Sequence, residues 1–281
     1  MSKPRFLLKT LFKYATLQSA SCPYCNCDQT TIVQWKNKIW QLRRCEKCSL
    51  SFRFPKDDPG ESAGFYQEKY QQDNVTDLPP EEDIPLHIRE RFKSVGRDLT
   101  THLETIRAIV PGGRVLDYGC SWGYGVYQFC QAGYHATGFE ISRPRVEYGR
   151  RTLKVNLTSD IDALPSNEFD AIYSAHVLEH IPDPRTPLMA FQRLLKPGEK
   201  LFLYVPNCSG DLARQLGVSW GQMINEKHVL ALTAEFFNRN LPKYGFSTEY
   251  SSSPYQTPPL PYEKDWDPAG DELLVVGTMQ R

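Results

Sequence analysis

The sequence has no excess of charge of either sign and no long apolar run. Lys and Arg together number 33, and so do Asp and Glu, so the net charge gives no support for a nucleic-acid partner. The apolar stretch within residues 4–17 is interrupted by Lys9 and Lys13 and is too short to span a bilayer. No secretory signal with an apolar region and a cleavage site is present. We therefore expect a cytoplasmic protein.

The charges are unevenly distributed near the N-terminus. Residues 1–56 carry eleven basic and two acidic side chains, whereas residues 57–84 carry nine acidic side chains and one basic one. This asymmetry indicates either an anionic partner or a contact between the two blocks. Residues 4–17 are predicted to form a short amphipathic helix packed on the protein, with weak contact to a membrane surface as the alternative.

Four cysteines form two pairs with a spacing typical of a metal site. Cys22 and Cys25 make one C-x-x-C pair and Cys45 and Cys48 make another, with nineteen residues between the pairs. This is the spacing of a four-thiolate zinc ribbon, whose strands we expect at residues 30–39, 41–44 and 50–54. Two disulfides or an iron–sulfur cluster are the alternatives. Disulfides conflict with the expected cytoplasmic location, so zinc is the favoured interpretation.

A glycine-rich loop follows a short apolar run in the middle of the chain. Val115-Leu116 is predicted to be a buried strand, the segment 119–125 a loop, and the apolar residues after it one face of a helix. This is a strand–turn–helix unit of a nucleotide-binding sheet. No Gly-x-Gly-x-x-Gly pattern is present, which argues against a dinucleotide. The pattern is instead Asp117-x-Gly119-x-x-x-Gly123, with an ordinary tight turn as the alternative.

Acidic residues follow the next predicted strands. Glu140 ends a second strand about 20 residues beyond the loop, a distance at which a carboxylate can accept hydrogen bonds from ribose hydroxyls. Asp160 lies in a third acidic loop, and strands are predicted at 168–174 and 201–207. This ordered series resembles the class I S-adenosylmethionine-dependent methyltransferases. The resemblance implies that the cofactor is bound by Asp117, Tyr118, Gly119, Cys120, Gly123, Glu140, Ile141, Asp160 and Ile161.

The resemblance also implies the fold. We expect a doubly wound, seven-stranded, mostly parallel α/β sheet that ends in an antiparallel hairpin and is preceded by a helix over residues 87–110. Three parts are predicted: an N-terminal helix and zinc ribbon at 1–54, an acidic linker or lid at 55–86, and the methyltransferase domain at 87–281. Within the linker, residues 65–70 are candidates for a lid over the cofactor, with a docking helix as the alternative.

Three histidines are the favoured candidate general bases, His180, His228 and His176, and Glu179 is a further candidate; for His180 the alternative is a hydrogen bond to the backbone or the cofactor pocket. A His near neutral pH can take a proton from an acceptor hydroxyl. His176-x-x-Glu179-His180 also matches a zinc-peptidase motif, but the prolines that follow leave no room for the long helix that this motif needs. Some O-methyltransferases of quinone precursors bind a divalent metal through Glu-x-x-Glu-His at this place, where this chain has His176 in the first position.

The favoured function is methyl transfer to a small-molecule or glycan acceptor, with O-methylation preferred. One alternative is an RNA base methyltransferase that uses the basic block to contact phosphates. Another is a non-catalytic scaffold that uses the ribbon for interactions. The neutral overall charge argues against RNA, and the presence of Glu140 and Asp160 argues against the scaffold.

Overall fold

The computed structural model describes residues 13–14, 18–57, 78–255, 259–263 and 268–280. The strands are β1 Thr30–Lys36, β2 Trp40–Cys45, β3 Ser51–Phe54, β4 Arg114–Tyr118, β5 His135–Phe139, β6 Leu157–Thr158, β7 Phe169–Ala175, β8 Leu195–Pro206, β9 Leu230–Ala231, β10 Phe246–Ser252, β11 Leu260–Pro261 and β12 Glu272–Met279. The α-helices are α1 Ile84–Arg89, α2 Thr100–Ile109, α3 Tyr124–Gln131, α4 Arg143–Thr152, α5 Arg185–Leu194, α6 Asp211–Leu216 and α7 Ala234–Asn240.

The central sheet confirms the predicted α/β architecture. Its strand order is β11-β10-β12-β8-β7-β4-β5-β6, with β8, β7, β4, β5 and β6 parallel and β12 antiparallel to both β8 and β10. Seven of these strands were expected, and the additional β11 is a two-residue edge strand. The strand order reverses at β4, so a ligand crevice is expected at the carboxyl ends of the strands next to it.

The middle strands are apolar because helices cover both faces of the sheet. In β7 every residue except Asp170 and Ala175 is buried, and the end of β8 from Leu201 to Pro206 is buried throughout. One hydrophobic cluster lies on each face, and both clusters contain side chains from β7, β8 and β12. Near-continuous apolar strands of this kind are typical of parallel sheets.

The helix predicted over residues 87–110 is wrong as a single element. The structure has α1, then a 3₁₀ turn at Lys93–Val95, then α2. The chain leaves helical geometry at Phe92, which has a φ of 58°, and again at Gly96, with a φ of 63°. The distortion buries the Phe92 ring against Trp122. The apolar residues that suggest one amphipathic helix therefore divide between two hydrophobic clusters, with Ile88, Phe92 and Val95 in a separate small one and Leu99, Leu103 and Ile106 in a main cluster on the sheet.

The three expected ribbon strands are present as β1, β2 and β3, but their sheet has a fourth strand. β9 pairs antiparallel with β3, so a segment from far along the chain completes the ribbon sheet. The ribbon also packs on α7, where Asn240 Nδ2 donates to the Cys48 carbonyl at 2.9 Å and Tyr24 packs edge-on against Phe236. The ribbon and the large sheet therefore share one hydrophobic cluster.

Several basic side chains of the N-terminal block are used within the molecule. Lys13 and Arg53 both form ion pairs with Asp57, and Arg44 pairs with Glu235. The two ion pairs with Asp57 join the basic block to the acidic block, which supports the interpretation of a contact between them. Within the described residues, no helix has the length and apolar character needed to cross a bilayer. Most of the predicted helix at 4–17 and the lid candidate at 65–70 lie outside the described residues.

Candidate functional site

The glycine loop after β4 requires left-handed backbone at three positions. Gly119 and Gly123 have φ of 84° and 83°, and Ser121 between them has a φ of 53°. A Cβ on Gly119 would lie 2.3 Å from Val177 Cγ2, so the loop passes close to the chain beyond β7. Ser121 replaces the middle glycine of the family pattern but keeps its left-handed conformation, which costs a non-glycine residue roughly 1–2 kcal/mol.

Hydrogen bonds to Glu140 and Arg145 hold Ser121 in that conformation. Its backbone N–H donates to Glu140 Oε2 at 3.0 Å, and its hydroxyl accepts from Arg145 Nη1 at 2.8 Å. Glu140 Oε1 accepts from the Ser142 N–H at 2.8 Å. Because each carboxylate oxygen has two lone pairs, Glu140 keeps acceptor capacity for ribose hydroxyls. Burial raises the pKa of Glu140, although these N–H groups and Arg145 oppose the rise.

Asp117 is the buried carboxyl group at the end of β4. It is 4% exposed, and burial together with the neighbouring Glu140 raises the pKa of Asp117 to about 8. The carboxyl group lies against the first turn of α3, where a Cβ on Gly125 would be 2.3 Å from Asp117 Oδ2. A protonated buried acid in this position would ionise readily beside a cation, because an opposite charge favours the charged form.

Two of the predicted cofactor residues turn their side chains into the core. The Tyr118 ring packs on Phe139 and Phe191, with centroid distances of 4.9 Å in both cases, and Cys120 is buried beside Gly138. The backbone N–H of Cys120 donates to the Phe139 carbonyl at 3.0 Å. Only backbone atoms of Tyr118 and Cys120 therefore remain for the predicted cofactor contact.

The residues expected around the adenine lie at the ends of β5 and β6. Ile141 is exposed, as a side chain that packs on a ligand would be in the free protein. Asp160 is exposed after β6, and its Oδ1 accepts from the backbone N–H groups of Asp162 at 3.0 Å and Ala163 at 3.3 Å. Ile161 packs on the core. The geometry places all three at the same edge as Glu140.

A second group of side chains lies beyond the carboxyl end of β7. Glu179 is 1% exposed, and His176 Nδ1 and His180 Nε2 lie 3.4 and 3.8 Å from its Oε1. Among the described residues neither Glu179 oxygen makes a hydrogen bond of good geometry. Burial opposes its ionisation, but the contact with His176, whose own pKa is raised, lowers the pKa of Glu179 below its usual value. The carboxylate is thus buried, charged and only partly compensated.

His180 and His228 lie beside this carboxylate, and each ring bonds a backbone carbonyl through Nδ1. His180 Nδ1 lies 3.1 Å from the Lys227 carbonyl and His228 Nδ1 lies 2.9 Å from the Gln222 carbonyl. A carbonyl only accepts, so both Nδ1 atoms donate and, in the neutral rings, both Nε2 atoms carry lone pairs. Burial and the neighbouring His180 lower the pKa of His228 to about 4, so His228 is neutral at pH 7.

Glu179, His180 and His228 can hold a divalent cation. One ligand atom from each lies within 4.8 Å of the others. Metal-binding imidazoles commonly donate the second ring N–H to a backbone carbonyl, as both do here. The arrangement differs from a zinc peptidase, because residues 178–180 form one 3₁₀ turn and His176 has a φ of 54°. His176 therefore does not share a helix face with His180.

His176 is held between two carboxylates. Its Nε2 lies 2.5 Å from Glu272 Oε1, and its Nδ1 faces Glu179. Burial opposes protonation, but these two carboxylates raise the pKa of His176 to about 10. An imidazole that is already protonated at pH 7 cannot take a proton from an acceptor. The geometry therefore favours His180 and His228 over His176 as bases.

Sequence reasoning missed the polar cluster around Glu272. Besides His176, this carboxylate accepts a hydrogen bond from the Tyr255 hydroxyl and lies 3.5 Å from His102 Nε2. These contacts outweigh the effect of burial and lower the pKa of Glu272. Glu272 begins β12 opposite Pro206, the last residue of β8. Because β12 is antiparallel to β8, its first residue lies at the ligand edge of the sheet. The carboxyl ends of the parallel strands alone do not reveal this residue.

The four ribbon cysteines converge as their spacing predicts. Cys22 Sγ lies 3.5 Å from Cys48 Sγ, and Cys25 Sγ lies 3.5 Å from Cys45 Sγ. All four sulfurs lie within 4.8 Å of one another. A tetrahedral site with bonds of about 2.3 Å places its sulfurs roughly 3.8 Å apart, so the group fits zinc. These separations exceed the disulfide bond length of about 2.05 Å, and all eight cysteines, which lie in the described part of the chain, are free.

Comparison with known proteins agrees with this fold. A family model described as "Methyltransferase domain" matches residues 87–251. The ubiquinone biosynthesis O-methyltransferase of Xanthomonas oryzae pv. oryzae is 34% identical over an alignment of 110 residues, and the match covers 36% of this chain and 46% of that protein. The protein of the same name from Hahella chejuensis is 30% identical over 115 residues, with the same two coverages. The chain thus matches about half the length of these relatives.

Solved structures share the fold at low identity. The 1,6-didemethyltoxoflavin-N1-methyltransferase of Burkholderia thailandensis, crystallised with S-adenosylhomocysteine, has a TM-score of 0.52 and 15% identity and covers 88% of this chain and 99% of its own. A SAM-dependent methyltransferase from Thermotoga maritima has a TM-score of 0.51 and 18% identity and covers 70% and 97%. Together with the family match over residues 87–251, these findings show that the chain belongs to the methyltransferase domain family and has the class I S-adenosylmethionine-dependent fold.

Proposed function

We propose that the protein transfers a methyl group from S-adenosylmethionine to a hydroxyl oxygen of a small-molecule acceptor. The observation that carries this proposal is the buried Glu179 carboxylate, which two imidazoles with available Nε2 atoms approach just beyond β7. The relatives named as O-methyltransferases match this chain in part and support the same reaction class. Sugar hydroxyls, and so glycans, are a second acceptor class with the same chemical requirement.

Methyl transfer from a sulfonium is an in-line displacement in which the donor is already activated by its charge. The protein must mainly hold donor and acceptor in line, an effect that can lower the barrier by roughly 7–11 kcal/mol. Asp117 and Glu140 would fix the cofactor at one end. An acceptor hydroxyl must also lose its proton, and the Nε2 of His180 or His228 is placed to take it. Glu179 would then stabilise the imidazolium that forms.

The same three residues form the alternative metal site. Glu179, His180 and His228 would be the protein ligands, and a divalent cation bound there lowers the pKa of a coordinated hydroxyl. His176, held between Glu179 and Glu272, would fix the orientation of the Glu179 carboxylate. Removal of divalent cations separates the two mechanisms, because only the metal-assisted one loses turnover.

The ribbon cysteines have a separate, structural role in this proposal. Cys22, Cys25, Cys45 and Cys48 would bind one zinc ion, since four thiolates in a closed tetrahedral shell leave no position for a substrate. The proposal places the protein in the cytoplasm, where thiols remain reduced and can bind the metal.

The test uses methyl-labelled S-adenosylmethionine with catechol and methyl glucoside as hydroxyl probes and total RNA as a third acceptor. We expect label in a hydroxyl probe. His180→Ala or His228→Ala should lower kcat by roughly 10²–10⁴-fold with unchanged cofactor affinity. His135→Ala, at an exposed position of β5, is the control. Label in RNA alone would favour the RNA methyltransferase, and cofactor binding without any transfer would favour the scaffold. Normal turnover in both His variants would mean that positioning alone drives the reaction.

A further inference from the structure

The segment that carries His228 is attached to the zinc ribbon through its backbone. We call residues 221–229 the acceptor loop. β9 follows this loop directly and pairs with β3, with Phe52 opposite Leu230. The Arg53 N–H extends this pairing by donating to the Val229 carbonyl at 2.8 Å, and the Val229 N–H donates to the Glu179 carbonyl at 2.8 Å. Val229 therefore links the ribbon strand to the buried carboxylate residue.

The Arg53 side chain reaches further into the same loop. It is buried, with 2% of the side chain exposed, and its Nη1 donates to the Asn225 carbonyl at 2.9 Å. Its Nη2 pairs with Asp57 Oδ2 at 2.5 Å, and the guanidinium lies over the Trp40 ring at 5.1 Å. A buried cation needs such partners, because desolvation of an unpaired charge is costly. One planar group thus joins the ribbon, the start of the linker and the acceptor loop.

Asn225 transmits this attachment to the candidate bases. Its Oδ1 accepts from the N–H groups of Lys227 at 2.6 Å and His228 at 2.8 Å, which closes the tight turn that presents the His228 ring. The Lys227 carbonyl is also the acceptor for His180 Nδ1. Both imidazoles therefore depend on the backbone conformation of residues 225–228, whose first carbonyl is held by Arg53.

The ribbon has a second attachment to the loop. Lys36 Nζ on β1 donates to the Ile224 carbonyl at 2.5 Å, and the Ile224 side chain is buried in a cluster with Trp40 and Leu42 of β2. Three ribbon strands thus contact one short loop. These contacts are not needed by a ribbon whose role is only to recruit partners. They connect the ribbon to the loop that carries His228.

We propose that Arg53 is a positioning residue for methyl transfer, and that the zinc ribbon supports the acceptor loop on which His228 and the His180 hydrogen-bond partner are carried. This inference rests on the proposed function, because it assigns these imidazoles to the acceptor side. The guanidinium is suited to the task because its rigid fork binds a carboxylate and a carbonyl simultaneously. Arg53 does not touch the reacting atoms and acts through Asn225.

The test compares Arg53→Met with Arg43→Met. Arg43 lies on the adjacent strand, and its hydrogen bonds go to Thr30 and Gln41 within the ribbon. Arg53→Met should lower kcat by about 10- to 100-fold, the range seen when the partner that orients a functional imidazole is lost. The dissociation constant of S-adenosylhomocysteine should change less than about 2-fold, since the contacts described above for Asp117 and Glu140 involve no residue of the loop. Turnover is measured with whichever of catechol and methyl glucoside the wild type methylates.

Hydrogen–deuterium exchange gives a readout that needs no acceptor. In Arg53→Met, amides of residues 221–229 should exchange at least about 10-fold faster, while those of β4 and β5 stay unchanged, because loss of the Asn225 anchor lowers the local opening free energy. Arg53→Lys keeps the charge beside Asp57 but lacks the fork, so its loop amides should exchange at rates between those of the wild type and of Arg53→Met. If Arg53→Met fails to fold, Lys36→Met removes the other ribbon donor to the loop and should show the same pattern.

Two results would overturn the positioning role. One is unchanged loop exchange and turnover in Arg53→Met. The other is an equal loss in Arg43→Met and Arg53→Met with reduced cofactor affinity in both, which would mark a general loss of structure. If the wild type methylates neither probe, the proposed O-methylation fails, and loop exchange alone still decides the role of Arg53.

Discussion

The raised pKa of Asp117 predicts that cofactor binding depends on pH. Burial and Glu140 raise this pKa to about 8, so only about 10% of the carboxyl groups are ionised at pH 7 in the free protein. The family resemblance places Asp117 beside the amino acid part of S-adenosylmethionine, which carries an ammonium group. The bound cation should favour the ionised carboxylate, and binding near neutral pH should therefore release a proton.

The size of the effect follows from the ionised fraction. Between pH 6 and pH 8 that fraction rises from about 1% to about 50%, so the contribution of Asp117 to affinity should rise about 50-fold, or about 2.3 kcal/mol. The sign is set by the free protein: a proton held at a pKa near 8 must be displaced, so the contribution of Asp117 to binding increases as pH rises and levels off above about pH 8. The Asp117→Asn variant has no proton to lose and should show no such rise.

The assay is isothermal titration calorimetry with S-adenosylmethionine at pH 6, 7 and 8, in buffers of different ionisation enthalpy. The ligand amino group titrates with both proteins, so the ratio of wild-type to Asp117→Asn affinity isolates the carboxyl group. A ratio that stays constant over this range, with no buffer-dependent proton release, would refute the reasoning. It would mean that Asp117 is already ionised or does not contact the cofactor.

Three other substitutions test separate parts of the structure. Glu140→Ala should weaken S-adenosylhomocysteine binding, since each bond to a charged group contributes roughly 1.5–3 kcal/mol, and should also lower Tm through the lost Ser121 contact. The control is Glu147→Ala at an exposed position. An unchanged Kd in Glu140→Ala would exclude Glu140 as the ribose ligand. Cys45→Ser should abolish zinc binding, measured by elemental analysis, and should lower Tm. Cys130→Ser, at an exposed cysteine, should do neither. Full zinc content in Cys45→Ser would contradict the four-thiolate site. Gly119→Ala should lower Tm and cofactor affinity, because the new Cβ would meet a side chain at 2.3 Å and φ is 84°; wild-type values for both would show that the loop adapts freely.

The sheet and its ligand edge could be predicted because they leave local signals in the sequence. Apolar runs mark the strands, a glycine turn follows β4, and β4, β5 and β6 each end at or near an acid, while the cysteine spacing predicts the ribbon. Ser121 illustrates the limit of such patterns. The glycine pattern describes a backbone conformation, and this chain achieves it with a serine held by Glu140 and Arg145.

The features that sequence analysis missed depend on contacts between distant segments. β9 has two residues and no periodicity, so its pairing with β3 cannot be inferred locally. The break at Phe92 follows from packing against Trp122, which overrides helical spacing. Glu272 lies in the site only because β12 runs antiparallel to β8. The roles of the three histidines likewise depend on which carbonyls and carboxylates surround each ring.

The pairing of β3 with β9 has a consequence for biosynthesis. Ser51 and Ala231 are paired although about 180 residues separate them. At a synthesis rate of about 5–20 residues per second, the ribosome needs roughly 10–35 s to supply the second strand after the first has emerged. Throughout that interval the nascent ribbon has an incomplete sheet edge, and its four cysteines are already available for metal. If the four cysteines bind zinc as proposed, the metal would be loaded before the sheet closes, and a shortage of zinc would first affect the folding of newly made chains.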